Sequence, residues 1–137
     1  MTEPALLATL RELAATLARA DVGVGDVVAA LDGESTDHTG NVIVERPGVA
    51  GIDQASVVRA GGDVPAHVTL ELSAAEDPGA LEQALGAPAR VHPDHPGQPD
   101  ELVYPATLGD GPAEIVVIAA DGPDGVRSVT LRRDSYS

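Results

Sequence analysis

Leucines recur on one side of the first twenty residues of the chain. Leu6, Leu10, Leu13 and Leu17 are separated by four, three and four positions, a spacing that places side chains on one face of an α-helix. We therefore predict an amphipathic helix over residues 4–20, with its leucine stripe turned toward the core.

Two shorter helices are predicted further along the chain. The first covers residues 26–31, and its apolar face includes Val27 and Leu31. The second is capped by Asp77, continues with a proline suited to the first helical turn, and ends at Gly86. Both segments are short and need a sheet to pack against.

Alternating or continuous apolar runs predict six strands. The clearest alternation lies between positions 66 and 72, where the even positions are apolar and the odd positions carry His67, Thr69 and Glu71. This pattern is typical of a sheet with one face on the core and one face in water. The three polar residues are a candidate interaction face, and the alternative is an ordinary solvated sheet face. The strands are predicted at residues 42–46, 55–60, 66–72, 102–105, 114–120 and 126–133.

These elements predict an α+β fold with helices packed on a mainly antiparallel sheet, in the order α-α-β-β-β-α-β-β-β. We expect a single domain over residues 1–137 because the length suits one core. A short helix followed by three strands occurs twice, so an internal duplication with halves 1–75 and 76–137 is an alternative to coincidence.

Composition excludes several classes of function. The 137 residues carry 22 acidic and 8 basic side chains, a formal net charge of −14, with no Cys, Phe or Trp. A polyanion of this kind lacks the cations that bind nucleic acid and anionic membrane surfaces. Without cysteine there is no disulfide, thiol nucleophile or thiolate metal site. Because the N-terminal segment resembles no signal peptide, we expect a soluble cytoplasmic protein without a cofactor.

One proline-rich loop contains residue types that bind metal ions. His92, Asp94 and His95 lie within four positions, and imidazole and carboxylate groups are common ligands of zinc. A zinc site usually needs three or four ligands, so distant histidines would have to complete it. A solvated polar loop is therefore the favoured interpretation, and a metal-dependent or small-molecule activity is the alternative.

A second polar string, from Gly33 to Asn41, contains Ser35, Asp37 and His38. These are the residue types of a catalytic triad, but a triad depends on geometry rather than on adjacency in sequence, and no nucleophile elbow surrounds the serine. We therefore interpret the string as a polar loop and predict no catalytic residue.

The second half of the chain resembles a known type of domain. The run from Leu81 to Pro88, the later Tyr104 and the terminal Val129-Thr130-Leu131 are similar to the helix, Leu-Gly-x-Pro turn and β-meander of β-lactamase-inhibitor-protein-like domains. Small outer-membrane assembly lipoproteins share this pattern. The chain lacks their lipidated cysteine and almost all aromatic anchors. The resemblance implies an open sheet used for binding another protein.

Our working hypothesis is therefore a non-catalytic protein-binding module with a basic protein partner, because an acidic surface steers association with cationic proteins. The protein would be a monomer or a homodimer. Two alternatives stay open: an activity centred on the His92–His95 loop, and a homodimeric structural domain joined through sheet edges or faces.

Overall fold

The computed structural model of the chain describes residues 5–19, 21–38, 41–45, 51–92, 94, 97–98, 100–108, 113–122 and 125–135. Three helices and eight strands lie in these ranges. The helices are α1 (Ala5–Leu17), α2 (Val24–Leu31) and α3 (Pro78–Leu85). The strands are β1 (Glu34–His38), β2 (Asn41–Glu45), β3 (Ile52–Gly61), β4 (Val64–Glu76), β5 (Ala89–Val91), β6 (Asp100–Leu108), β7 (Ala113–Gly122) and β8 (Gly125–Ser135).

The leucine stripe of α1 faces the core, as the sequence predicts. Leu10, Leu13 and Leu17 are buried, whereas the side chain of Leu6 lies outside the described part. The helix ends at Leu17, three residues earlier than predicted. There, Nε of Arg133 on β8 donates a hydrogen bond of 2.8 Å to the Leu17 carbonyl, which supplies a cation and a partner at the helix C-terminus.

Helix α2 begins two residues earlier than the sequence predicts, at Val24. The Asp26 carboxylate accepts a hydrogen bond from the backbone N–H of Gly23 at 2.9 Å. The backbone N–H of Val24 donates to the carbonyl of Asp63 at 2.8 Å, which ties the start of this helix to the β3–β4 turn. Helix α3 begins at the predicted place, because the Asp77 side chain accepts from the Gly79 backbone N–H.

All eight strands form one antiparallel sheet in the order β1-β2-β3-β4-β8-β7-β6-β5. Each half of the chain therefore supplies a four-stranded meander. The two meanders meet through their last strands, β4 and β8, at the centre of the sheet. The α+β class and the mainly antiparallel sheet are confirmed.

The predicted element order is wrong by two strands. The polar string interpreted as a loop contains β1, and the segment just after Pro88 contains β5. Both lie at the edges of the sheet, and all the described side chains of both strands are exposed. An edge strand that buries no side chain needs no apolar alternation, so hydrophobic pattern carries no signal for it.

The helices cover one face of the sheet. Helix α1 contacts β6, β7 and β8, α2 contacts β2 and β3, and α3 contacts β6. The strand residues that face them are buried, among them Val44, Val57, Leu70, Val117 and Leu131. Across the ranges that the structure describes, no helix packs on the opposite face, which we call the open face. No described helix has the length and apolar character needed to cross a membrane.

Candidate interaction surface

The predicted interaction face on β4 lies at the centre of the open face. Thr69 pairs with Thr130 of β8, and their hydroxyl oxygens are 3.1 Å apart, joined by a hydrogen bond across the seam between the two meanders. His67 and Glu71 flank Thr69 on the same strand, on the side opposite the buried Val68 and Leu70. The expected alternation is therefore confirmed, while a role for these residues in binding stays a prediction.

Strand register extends each of these positions into a row that crosses the sheet. The row through Thr69 is uncharged on every strand. Its members from β1 to β5 in spatial order are Thr36, Ile43, Ser56, Thr69, Thr130, Ile118, Val103 and Ala89.

The row through Glu71 is acidic. We call its four glutamates, Glu34, Glu45, Glu71 and Glu101, the carboxylate row. The other four strands contribute Gln54, Ser128, Ala120 and, at the sheet edge, Val91. All four glutamates are exposed. Among the described residues, none of the four carboxylates has a hydrogen-bond or ion-pair partner.

Two of these glutamates face each other directly. Glu34 on β1 is the register partner of Glu45 on β2, so their Cβ atoms are about 5 Å apart. Like charges in directly opposite positions destabilise a sheet. The pair therefore does nothing for the fold itself, and a cation brought to this row would relieve the repulsion.

Aliphatic side chains gather on the other half of the open face. We call Ala89, Val91, Val103, Val116, Ile118 and Ala120, on β5, β6 and β7, the aliphatic patch. Val91 is 47% exposed, Ala89 is exposed, and the other four are half-buried. Positions 115–120 of β7 are apolar on both faces of the sheet, and one of these faces packs against α1 while the other belongs to the open face.

The predicted metal loop begins at the end of β5. Nδ1 of His92 lies 2.9 Å from Oδ1 of Asp100, in an exposed ion pair when the imidazole is protonated. Asp94 is exposed, and His95 lies outside the described residues. No three His, Asp or Glu side chains converge as a metal site within the described ranges. Metal binding by this loop therefore stays a prediction.

Beside that loop, a groove of about 340 Å³ lies between the first turns of α3 and strands β5 and β6. Arg90 and Glu82 line it, with Leu102 at its wall. Nη1 of Arg90 donates to Asp100 at 2.9 Å and to Asp121 at 2.8 Å. Hydrogen bonds from Arg90 and His92 hold the pKa of Asp100 below its usual range. The arginine is thus already shared by two carboxylates, which makes the groove a poor site for an anion.

Tyr104 lies on β6, under α3. It is the one Tyr, Phe or Trp side chain in the part of the chain that the structure describes. It is buried, and its hydroxyl donates a long hydrogen bond of 3.4 Å to the carbonyl of Pro78. Burial, with added repulsion from Glu82 and Asp121, raises the pKa of Tyr104 to about 12. Tyr104 therefore packs the core as a neutral phenol, and its raised pKa makes it a weak proton donor.

The polar string around Ser35 gives no catalytic geometry among its described side chains. Ser35 and Asp37 lie on the edge strand β1, opposite Val44 and Val42, and the Asp37 carboxylate accepts a hydrogen bond from Nη2 of Arg59 at 3.2 Å. The side chain of His38 lies outside the described part.

No family model and no curated protein sequence matches the chain. Among solved structures, it is similar to a DUF4309 family protein (YjgB) from Bacillus subtilis subsp. subtilis str. 168. The alignment covers 96% of this chain and 94% of that chain, with a TM-score of 0.54 and 17% sequence identity. At this identity the similarity concerns the fold alone, and it agrees with an α+β architecture.

Proposed function

We propose that this chain is a non-catalytic protein-binding module that binds a basic protein through the open face. The observation that carries the proposal is the carboxylate row. Its four exposed glutamates have no ion-pair partner among the described residues, and the row crosses the open face beside the aliphatic patch. Neither feature contributes to the core, and the facing Glu34 and Glu45 oppose folding.

The charge of the whole molecule favours a cationic partner. With a net charge of −14, the chain attracts basic proteins over distances of about 10 Å at 0.1 M salt, and this attraction accelerates encounter. The same charge opposes close approach of a second copy. A basic partner therefore suits the open face better than self-association does.

The size of the open face suits a specific complex. Eight strands about 4.8 Å apart and three alternate rows give a surface of about 700 Å², close to the roughly 800 Å² that each partner buries in a standard interface. The mixture of aliphatic and polar groups is also typical of interfaces that form between separately folded proteins.

The topology also supports, in an extended form, the internal duplication that the sequence offers as an alternative to coincidence. A helix followed by a four-stranded meander occurs twice, and the two meanders meet at Thr69 and Thr130. In this proposal the open face is assembled from two halves of common origin that have since acquired different surface chemistry.

Affinity capture tests the proposed function. The wild-type chain is immobilised, incubated with lysate of the source organism at low and at moderate salt, and retained proteins are identified by mass spectrometry. We expect a basic protein that is retained at low salt and released as salt rises. Retention of no basic protein would contradict the proposal, and a dimer in light scattering would favour self-association instead.

Matched charge variants locate the binding surface. The double variant Glu45→Gln/Glu71→Gln removes two charges from the open face, and Glu12→Gln/Glu82→Gln removes two exposed charges from the helical side. We expect only the first variant to weaken capture. Because Glu45→Gln also relieves the repulsion from Glu34, its free energy of unfolding should stay equal or rise by a few tenths of a kcal/mol. Equal loss of capture in both double variants would contradict an open-face site.

A further inference from the structure

The two halves of the open face differ in chemistry. On β1 to β4, three of the four glutamates of the carboxylate row share the open face mainly with polar side chains and with two half-buried aliphatic side chains, Ile43 and Val58. On β5 to β7, the open face carries the six members of the aliphatic patch and two exposed glutamates, Glu101 and Glu114. Strand β8 separates the halves with Ser128, Thr130 and Arg132.

We infer that the two halves perform separate steps of binding: the carboxylate row steers the partner and the aliphatic patch anchors it. This inference rests on the proposed function and specifies the partner. The partner is a basic protein in which a cationic strip lies beside an exposed apolar patch, so that both halves of the open face are covered at once.

The range of each force supports this division. Coulombic attraction acts over many ångströms and therefore changes the rate of encounter, whereas apolar contact forms only after water is expelled and therefore changes the rate of dissociation. The carboxylates of the row are exposed and lie along one side of the open face. Val103 and Ile118 belong to the neighbouring uncharged row and are half-buried near the middle of the apolar half. This arrangement matches an apolar anchor with a charged rim.

Two synthetic peptides of equal charge separate the steps without knowledge of the natural partner. One peptide contains lysine and serine, and the other contains the same number of lysines with leucine in place of serine. Association and dissociation rates are measured by surface plasmon resonance on the immobilised chain at low and moderate salt. On the wild type we expect similar association rates, with the leucine peptide dissociating about tenfold more slowly.

Three variants assign the steps to the two halves. In Val103→Thr/Ile118→Thr the β-branched shape is kept, and we expect the slow dissociation of the leucine peptide to disappear while its association rate changes by less than about twofold. In Glu45→Gln/Glu71→Gln we expect slower association of both peptides, with a weaker dependence on salt. The control Val64→Thr changes a valine that is 40% exposed outside the patch, and it should alter neither rate.

The inference is overturned if the threonine variant keeps the slow dissociation, if Val64→Thr removes it equally, or if the glutamine variant changes dissociation rather than association. These outcomes are separate from those of the capture experiment. Peptides that behave as expected, with no basic protein captured, would reject the proposed function and retain the two-step surface. A captured basic protein with undifferentiated peptide kinetics would reject only the division between the halves.

Discussion

Gly125 lies where the two meanders meet, at a backbone position that only glycine suits. It begins β8, beside the end of β4, where Glu76 is the register partner of Val126. Its backbone φ is +115°, and a Cβ atom built there would lie 2.8 Å from the carbonyl oxygen of Glu76. The neighbouring atom is backbone, so it cannot move aside without shifting the β4–β8 seam.

We expect Gly125→Ala to lower the free energy of unfolding by about 2–5 kcal/mol. A non-glycine residue in such a backbone conformation costs of the order of 1–3 kcal/mol, and relief of the contact with Glu76 requires strand movement that adds to this cost. The control is Gly62→Ala, at φ +56° with no atom within 4 Å of the added Cβ. Its left-handed strain of about 1–2 kcal/mol is partly offset by about 0.4–1 kcal/mol from a less flexible unfolded chain.

Urea denaturation followed by far-ultraviolet circular dichroism measures both variants. A midpoint that falls clearly further for Gly125→Ala than for Gly62→Ala, with unchanged slope, would agree with a steric role at the seam. If the two variants lose equal stability, the contact with Glu76 contributes nothing and the reasoning about the seam is refuted.

Three further changes test the core and the charged edge. Leu13→Ala should cost about 2–5 kcal/mol in urea denaturation, because Leu13 is 1% exposed; a near-neutral result would place α1 outside the core. The pKa of Tyr104 is raised to about 12, so between pH 10 and pH 12 the native state keeps a proton that the unfolded state releases. The free energy of unfolding should therefore fall by up to about 3 kcal/mol over this pH range. Tyr104→Phe should remove this pH dependence. The lowered pKa of Asp100 means that its stabilising contribution is present above the ordinary aspartate pKa and disappears as pH falls through the lower native value. Arg90→Gln should raise that native pKa in an NMR titration, and an unchanged value would mean that the Arg90–Asp100 contact does not persist in solution.

Local pattern predicted the elements that bury a face. The leucine spacing of α1, the Asp77 cap of α3 and the alternation around Thr69 each reflect contact with the core, and contact with the core selects apolar residues at a regular period. Strands β1 and β5 were not predicted, because an exposed strand at the edge of the sheet is under no such selection for apolar residues. The resemblance to β-lactamase-inhibitor-protein-like domains implied an open sheet, and its use for binding stays a prediction.

The composition of the open face could not be predicted from the sequence because it depends on register. Glu45 and Glu71 are 26 positions apart in the chain, and Glu71 and Glu101 are 30 apart; they share a row only because five antiparallel pairings connect β2 with β6. A shift of one residue in any pairing would turn the following glutamate toward the core, where a lone carboxylate is costly. The buried valines and leucines that exclude such shifts therefore also hold the carboxylate row in line, so the surface chemistry of the open face is specified by the packing of the opposite face.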